Sequence, residues 1–312
     1  MAGKKIIAVC GATGAQGGGL ARAILNDPSG EFALRVITRD RRKAEAFADV
    51  EVDEVDIDDL PSLEHAFAGA HGAYCLTNFW EHFSGEKETE QGRNLALAAA
   101  KAGVRHAIWS TFEDTRDFIP LDDDRMPTLQ EHYKVAHFDA KAESNHFFTD
   151  LGVSTMFLLT SAYFENFIYF GWGPARGEDG VLAVTYPMGD KKLPMIGVED
   201  IGKCAYAIFK AGPEYVGKTV GIAAQNPTGA EIAAAFTNAL GEEVRYNDVP
   251  ADVYRSFGFP GADDIGNMFQ FKRDFNDDYI GARSIDLSRR LDPDLQTLDA
   301  WLAENGSRVP LG

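Results

Sequence analysis

The chain has 312 residues, 45% hydrophobic and 25% charged, and this length suggests two domains or one large domain with an appendage. A chain of this size needs no disulfide or metal to hold its core, and its apolar content is too high for a disordered protein. The net charge of −18 argues against duplex nucleic acid as a direct partner, and three widely spaced cysteines exclude a disulfide scaffold.

The sequence carries no signal for a membrane or a metal. The apolar stretch after Lys4 and Lys5 ends at Gly11, so Met1–Cys10 lacks the hydrophobic region of a signal peptide. No apolar run approaches the roughly 20 residues that a membrane-spanning helix needs. Cys/His ligand spacing and HExxH are both absent, which predicts no metal site. We therefore expect a soluble, cytoplasmic protein.

The first half of the chain alternates short apolar segments with helical patterns. Strands buried on both faces of a sheet are predicted at Ile6–Val9, Leu34–Ile37, Gly72–Leu76, Ala107–Trp109 and Ser154–Leu159. A further strand is predicted at Glu51–Val55. Helices are predicted at Gly18–Leu25, Leu60–Phe67, Glu86–Ala102 and Lys134–Leu151. This alternation predicts an α/β fold built on a doubly wound parallel Rossmann sheet.

The pattern changes after about residue 160. Strands are predicted at Val181–Thr185 and Thr219–Ala223, and helices at Glu199–Lys210, Gly229–Leu240, Asp252–Phe257 and Leu298–Ala303. We predict a Rossmann domain over residues 1–160, to which a segment of about 195–225 returns, and a second, smaller α/β domain over residues 161–312.

The strongest motif is a glycine-rich turn between the first predicted strand and helix. It requires a sharp reversal at Gly11, a close approach of phosphate at Gly14, and helix–strand packing at Gly17. Backbone N–H groups and the helix dipole would then face a pyrophosphate. A structural turn without a ligand is the alternative, but the strand–turn–helix context favours a dinucleotide. The predicted cofactor contacts in this turn are Gly11, Thr13, Gly14, Ala15, Gln16 and Gly17.

The end of the second predicted strand indicates which nucleotide is bound. NAD-binding proteins usually have Asp or Glu there, whereas this strand ends at Thr38-Arg39. Arg39 can form two hydrogen bonds with a 2′-phosphate and Lys43 can add charge, which favours NADP; a solvated start of the next helix is the alternative. Further predicted contacts are Asp56 and Ile57 beside the adenine, and Thr77, Asn78 and Phe79 beside the ribose and pyrophosphate.

The catalytic set of a short-chain dehydrogenase is incomplete. Such an enzyme has Ser or Thr after the fifth strand and Tyr-x-x-x-Lys on the next helix. Here Ser110 and Thr111 follow the fifth predicted strand, but the helix carries His137 and Lys141 without the Tyr. His137 is either a general acid towards a carbonyl or quinone oxygen, or a hydrogen-bonding residue in a site that only binds. Lys141 is predicted to contact the cofactor, and both residues are catalytic candidates only if the protein is an enzyme.

A second phosphate-binding pattern, GxxxxGK[ST], occurs at Gly212–Thr219. The mechanism of that motif requires a strand before it and a helix after it. Here a helical segment precedes it and a strand-like segment follows, so we interpret it as a helix-to-strand connection.

Several motifs together resemble the NmrA-like family of atypical short-chain dehydrogenases. They are Gly11–Gly18, Thr38-Arg39, Thr77–Glu81, His137–Lys141, Tyr163–Asn166, Gly258–Ala262 and Asn267–Phe269. The resemblance implies a Rossmann domain with a smaller domain, NADP binding, and further cofactor contacts by Tyr163, Phe164, Glu165 and Asn166. It also implies that Glu90 stands where NADPH-sensing members have a Lys.

The resemblance implies two functions, a regulator or an enzyme. One is a redox sensor or negative transcriptional regulator that binds NADP(H) and acts through a protein partner, which the missing Tyr favours. The alternative is an NADPH-dependent oxidoreductase for a planar quinone or enone, which would stack on aromatic residues near Trp80 and Phe164.

Overall fold

The structure, a computed structural model, describes residues 4–312. The first three residues of Met1–Cys10, and of the predicted first domain, lie outside the described residues. The chain forms two compact units. The first comprises the described residues up to Asp114 together with His137–Leu159 and Glu199–Val220. The second comprises Thr115–Ala136, Thr160–Val198 and Gly221–Gly312, and therefore takes a segment that lies inside the predicted range 1–160.

The largest sheet confirms the predicted fold class. The strands of the described residues are β1 Lys5–Cys10, β2 Phe32–Thr38, β3 Glu51–Glu54, β4 Gly72–Cys75, β5 His106–Thr111, β6 Thr155–Leu159, β7 Ala162–Tyr163, β8 Ala175–Arg176, β9 Leu182–Tyr186, β10 Met195–Ile196, β11 Thr219–Gly221 and β12 Val244–Asp248. Seven of these strands form one sheet in the order β3-β2-β1-β4-β5-β6-β11. The pairings β2–β3, β1–β2, β1–β4, β4–β5 and β5–β6 are all parallel. The strand order reverses between β1 and β4, where doubly wound sheets bind their ligands.

Helices follow most of these strands, as the alternating pattern predicts. The α-helices of the described residues are α1 Ala15–Asn26, α2 Leu60–Phe67, α3 Gly85–Ala102, α4 Ala136–Glu143, α5 Asn145–Asp150, α6 Asn166–Tyr169, α7 Val198–Ala211, α8 Gly229–Leu240, α9 Ala251–Arg255, α10 Ala262–Asp274, α11 Asn276–Gly281, α12 Ile285–Leu291 and α13 Leu298–Asn305. Short 3₁₀ turns occur at Arg41–Phe47, Phe79–Glu81, Thr115–Asp117, Gly212–Tyr215 and Gly306–Arg308. In the residues 4–312 no helix combines the length and apolar composition needed to cross a bilayer.

The prediction of one helix over Lys134–Leu151 was wrong, because the helix begins at Ala136 and is interrupted after Glu143. Lys134 is buried outside the helix, and its Nζ donates to the carbonyl oxygens of Asp123 at 2.8 Å and Met126 at 2.7 Å. The interruption falls at Ser144, whose Oγ donates to the Ala140 carbonyl at 2.9 Å. Such a bond from a Ser side chain to the preceding turn bends helices.

The core of the first unit lies between the sheet and helices α2, α3 and α5. Its largest side chain is Trp109 of β5, which stacks on Phe148 with ring centroids 5.2 Å apart. Cys10 and Cys75 lie in this core and Cys204 is also buried, and all three are free thiols. Burial raises the pKa of Cys10 to about 12, so this thiol is inert at neutral pH.

The second unit contains the elements that sequence patterns failed to predict. Its sheet has the order β12-β9-β8, in which β12 was not predicted. Helix α10 was not predicted either, because it is buried on nearly every side and so shows no amphipathic pattern. Its polar side chains form hydrogen bonds with carbonyl oxygens of a loop. Asn267 Nδ2 donates to Lys134 O at 2.6 Å, and Gln270 Nε2 donates to Arg125 O at 2.7 Å.

Candidate functional site at the carboxyl edge of the sheet

The glycine-rich turn has the geometry of an anion site. Gly11 has φ of +63°, and the Gly14 N–H donates to the Gly11 carbonyl at 2.8 Å, which closes the turn before α1. A Cβ on Gly17 would lie 2.5 Å from the carbonyl oxygens of both Cys10 and Gly11, so only glycine fits there. Within the described part of the chain, no side chain caps the start of α1 and its first turn holds no acid. The start of a helix offers backbone N–H donors and a positive dipole end to which a phosphate can bind.

Gln16 fastens the first turn of α1 to the sheet. Its Oε1 accepts hydrogen bonds from the Tyr74 hydroxyl at 2.8 Å and from the Ser110 hydroxyl at 2.9 Å. Tyr74 lies on β4 and Ser110 on β5, and both are buried. Ser110 is at the position of the short-chain dehydrogenase Ser, and its hydroxyl thus donates a hydrogen bond to Gln16 of the glycine-rich segment. Thr13 of the same turn contacts Thr38 at the end of β2, with 3.3 Å between the hydroxyl oxygens.

Arg39 already has an anionic partner in the structure. Its guanidinium makes two hydrogen bonds to the Glu81 carboxylate, and Asn78 Nδ2 donates to Glu81 Oε1 at 2.8 Å. Arg39 follows β2 and Glu81 ends the 3₁₀ turn that follows β4, and these two strands flank β1. The pair therefore joins the two sides of the edge where the glycine-rich turn lies. Glu81 was not predicted as a partner of Arg39, although it lies in the motif Thr77–Glu81.

Two other basic residues after β2, Arg42 and Lys43, differ in whether they form an ion pair. Arg42 pairs with Asp40 through Nε at 2.9 Å and Nη2 at 3.0 Å, and this hydrogen bonding lowers the pKa of Asp40. Lys43 is exposed, and its ammonium has no ion-pair partner among residues 4–312. A bound phosphate therefore meets Lys43 without first breaking an ion pair.

The predicted adenine and ribose contacts lie at the same edge, after β3 and β4. Asp56 is exposed and its Oδ1 accepts the Asp58 N–H at 3.0 Å, while Ile57 is half-buried. Asn78 is exposed, whereas Phe79 is 3% exposed and belongs to the core. The structure thus brings together, at one edge, the predicted contacts Gly11, Thr13, Gly14, Ala15, Gln16, Gly17, Arg39, Lys43, Asp56, Ile57, Thr77, Asn78 and Phe79.

Lys141 is held in a buried polar cluster. Its Nζ lies 2.7 Å from Glu88 Oε1, 2.5 Å from Thr77 Oγ1 and 3.1 Å from the Thr77 carbonyl. Thr77 in turn donates its hydroxyl to Glu88, and His82 Nε2 lies 3.2 Å from Glu88 Oε2. Burial alone would raise the pKa of Glu88, but the charge of Lys141 and the hydrogen bonds from His82, Lys141 and Thr77 lower it to about 2. Glu88 is therefore an ion in the folded protein at neutral pH.

Glu88 was not predicted as a site residue, although its position in the sequence carried a signal. It lies on the buried face of α3 together with Gly85, Gly92 and Leu95, at the spacing of one helical face. A carboxylate on such a buried face requires a cationic partner, and the fold determines which residue supplies it. Glu90, two residues later, is exposed and pairs with Lys87 at 3.1 Å.

His137 is buried among aromatic rings. Its ring centroid lies 4.8 Å from that of Trp80 and 4.7 Å from that of Phe138. The ring centroids of Phe79 and Phe112 lie 5.9 Å and 6.0 Å from it. Trp80 precedes Glu81 directly in the chain. The segment that carries the partner of Arg39 is therefore in contact with the helix that carries His137 and Lys141.

Residues Tyr163–Asn166 belong to the second unit. Glu165 accepts hydrogen bonds there from Trp301 Nε1 at 3.0 Å and from the Val198 N–H at 3.1 Å. Phe164 is fully buried, and Asn166 begins α6. Tyr163 is half-buried, with its hydroxyl 3.4 Å from Thr160 Oγ1. Their predicted contact with a cofactor stays a prediction.

The GxxxxGK[ST] segment has the predicted context. Helix α7 precedes it, a 3₁₀ turn covers Gly212–Tyr215, and β11 follows. The interpretation as a helix-to-strand connection is confirmed.

Comparison with known proteins points to one family. The model of the NmrA-like family matches residues 3–302. Among curated proteins, the NmrA-like family domain-containing oxidoreductase FrzB of a Cladobotryum species is 29% identical over 293 residues, covering 85% of this chain and 83% of that protein.

Solved structures of similar fold include a regulator and a reductase. NmrA, a negative transcriptional regulator, has been solved with NADP and with NAD; each structure gives a TM-score of 0.77 at 23% identity and covers 96% of this chain and 95% of that chain. The NADPH-dependent quinone oxidoreductase QOR2 of Escherichia coli, complexed with NADPH, gives a TM-score of 0.72 at 22% identity, covering 96% of this chain and 99% of that chain.

Proposed function

The chain belongs to the NmrA-like family, and from that premise we propose that it is an NADP(H)-binding redox sensor that acts through cofactor-dependent interaction with a protein partner. The observation that carries this proposal is that acceptors within the protein already bind the Lys141 ammonium. An ammonium has three N–H donors, and Glu88 Oε1, Thr77 Oγ1 and the Thr77 carbonyl supply three acceptors within 3.1 Å. A cofactor contact by Lys141 requires exchange of one of these bonds.

The other positions of the dehydrogenase set support the same proposal. Ser110 donates to Gln16, and the place of the proton-donating Tyr is taken by His137, which is packed among aromatic rings. A hydroxyl committed to the glycine-rich segment and a missing phenol together leave no ready proton donor of the short-chain dehydrogenase type. The site is better suited to holding a dinucleotide than to turning it over.

The residues of the edge fit NADP(H). The start of α1 has no side-chain cap and suits a diphosphate, which the N–H groups of its first turn would hold. Arg39 and Lys43 would hold the 2′-phosphate, and Asp56 and Ile57 would lie beside the adenine. The nicotinamide, when bound, supplies hydride chemistry that belongs to the cofactor. The solved NmrA and QOR2 structures contain such nucleotides, which supports this assignment by analogy.

A second candidate function is NADPH-dependent reduction of a quinone or enone. The curated relative FrzB is called an oxidoreductase, and QOR2 is a quinone oxidoreductase, which favours this alternative. In this chain the half-buried Trp80 beside His137 offers a ring on which a planar substrate could stack. His137 would then be the proton donor.

The two functions are separated by measuring NADPH oxidation with a panel of quinones. The sensor binds NADPH and shows no oxidation above the uncatalysed rate with any of them. Steady turnover that is lost in Lys141→Ala, and kept in the exposed control Lys101→Ala, would establish the enzyme instead. Lys141→Met combined with Glu88→Gln repeats the test without leaving a buried charge.

The partner requires a separate experiment. The immobilised full chain is exposed to cell extract with and without NADPH, and retained proteins are compared. We expect at least one protein whose retention changes with the nucleotide. Retention that is the same in both conditions contradicts cofactor-dependent interaction.

A further inference from the structure

Arg39 and Glu81 form a pair that differs from an ordinary surface ion pair in its position. It joins the segments after β2 and β4, on either side of β1, where the proposed nucleotide would lie. Asn78 Nδ2 donates to Glu81 Oε1 at 2.8 Å and so helps to hold the carboxylate towards Arg39. The side chains of Arg39 and Glu81 are 55% and 32% exposed, respectively, so an incoming anion can reach the guanidinium.

The chemistry of the guanidinium makes this pair a competitor of phosphate. A guanidinium presents a planar fork that matches one carboxylate or phosphate with two parallel hydrogen bonds. In this structure both bonds of that kind go to the Glu81 carboxylate. A 2′-phosphate that takes the fork of Arg39 must therefore displace Glu81, and the displaced carboxylate would stay close to the new anion.

We propose that Glu81 is a specificity-determining residue that competes with the 2′-phosphate of NADP(H) for Arg39. This inference rests on the proposed function, since it assumes that the nucleotide binds at this edge. Glu81 lowers the affinity for the phosphorylated nucleotide and hardly affects the unphosphorylated one. It thereby sets how strongly the protein discriminates NADPH from NADH.

Displacement of Glu81 by the phosphate would also affect the neighbouring residue Trp80. Glu81 is adjacent to Trp80, whose ring packs 4.8 Å from that of His137. Trp109, Trp172 and Trp301 are buried, whereas Trp80 is half-buried. A change in the fluorescence of Trp80 therefore reports movement of this segment.

The test compares ligands that differ in the 2′-phosphate. NADPH, NADH, 2′,5′-ADP and 5′-AMP are titrated by calorimetry into the wild type and Glu81→Gln, which keeps the size of the side chain and removes its charge. We expect Glu81→Gln to bind NADPH and 2′,5′-ADP about 3- to 10-fold more tightly, because an exposed ion pair and a nearby negative charge are removed. Binding of NADH and 5′-AMP should change by less than about 2-fold.

A matched control is available in the same unit. Arg22 and Glu199 form another exposed pair with two hydrogen bonds, between α1 and α7. Glu199→Gln removes a carboxylate in the same way, and we expect it to leave all four affinities unchanged. In a Trp80→Phe background, the fluorescence change on adding 2′,5′-ADP should disappear.

Two results of the calorimetry overturn the inference. Unchanged or weaker NADPH binding by Glu81→Gln means that Glu81 does not compete, and equal tightening of all four ligands means that it blocks adenosine rather than phosphate. In both cases the wild type binds NADPH and the proposed function survives. If neither protein binds any of the ligands, the proposed function fails, and the competition fails with it.

Discussion

In the centre of the first unit, the carboxylate of Glu88 is buried and lies 2.7 Å from the Lys141 ammonium. Removal of one partner of a buried ion pair leaves the other charge uncompensated, which costs about 3–5 kcal/mol. We therefore expect Glu88→Ala to lower the free energy of unfolding by about this amount in urea titrations. Glu90→Gln, on the exposed side of the same helix, should change it by less than about 0.5 kcal/mol. Similar effects of the two variants would contradict the role of Glu88.

The pH dependence of stability tests the same carboxylate. The pKa of Glu88 is about 2 in the folded protein and 4.5 for an unperturbed carboxyl. Because the folded-state pKa is the lower one, the stabilisation is present above pH 4.5 and is lost as the pH falls towards 2. The difference in unfolding free energy between the wild type and Glu88→Gln should shrink over this range, by on the order of 3 kcal/mol in total. A difference that does not vary with pH would contradict the assigned ion pair.

Substitution of Arg39 tests the choice of nucleotide. A hydrogen bond to a charged group contributes about 1.5–3 kcal/mol, so Arg39→Gln should weaken NADPH binding about 10- to 100-fold. NADH lacks the 2′-phosphate and should lose less than about 3-fold. Arg22→Gln, which removes an exposed Arg of α1 that pairs with Glu199 of α7, serves as the control in the same titrations. Equal losses for both nucleotides would refute the role of Arg39.

At the scale of elements, the junction of β1 and α1 depends on Gly17. Alanine there would place its Cβ 2.5 Å from two backbone carbonyl oxygens, which cannot move without separating the helix from the strand. We expect Gly17→Ala to destabilise the protein by about 1–3 kcal/mol and to abolish nucleotide binding. Gly281→Ala is the control, because a Cβ there meets no atom within 4 Å and it should be neutral or slightly stabilising in thermal unfolding. Nucleotide binding retained in Gly17→Ala would contradict the assigned site.

The elements that sequence patterns predicted are those whose local signal agrees with their burial. Helix α2 has the predicted bounds Leu60–Phe67, and α8 has the predicted bounds Gly229–Leu240 with Thr228 as a capping-box residue. Helix α10 escaped prediction because its polar residues Asn267 and Gln270 are buried against loop carbonyls more than 130 residues away in sequence. No local pattern reports such a partner.

The same distinction applies to the site. The glycine-rich turn could be predicted because Gly11, Gly14 and Gly17 lie close together in sequence, directly between a strand and a helix. The partners of Arg39 and Lys141 could not, because Glu81 and Glu88 approach them only after β2, β4 and α4 have assembled. Charge and burial can indicate that such a partner exists, but the topology decides which residue it is.

For the whole molecule, a nucleotide that binds only the folded state must raise stability. At a free NADPH concentration 100 times the dissociation constant, the expected gain is about 2.7 kcal/mol. Thermal unfolding with increasing NADPH should therefore shift steadily upward, and Arg39→Gln should shift much less at the same concentrations. A melting temperature that does not respond to NADPH would contradict binding to the folded chain.

The central claim is that the edge formed by Gly11–Gly17 and Arg39 binds NADP(H), and calorimetric titration of the wild-type chain tests it most directly. We predict saturable heat with one site per chain for NADPH, and a weaker isotherm for NADH. The account is contradicted if millimolar concentrations of both nucleotides give no heat, or if NADH binds as tightly as NADPH.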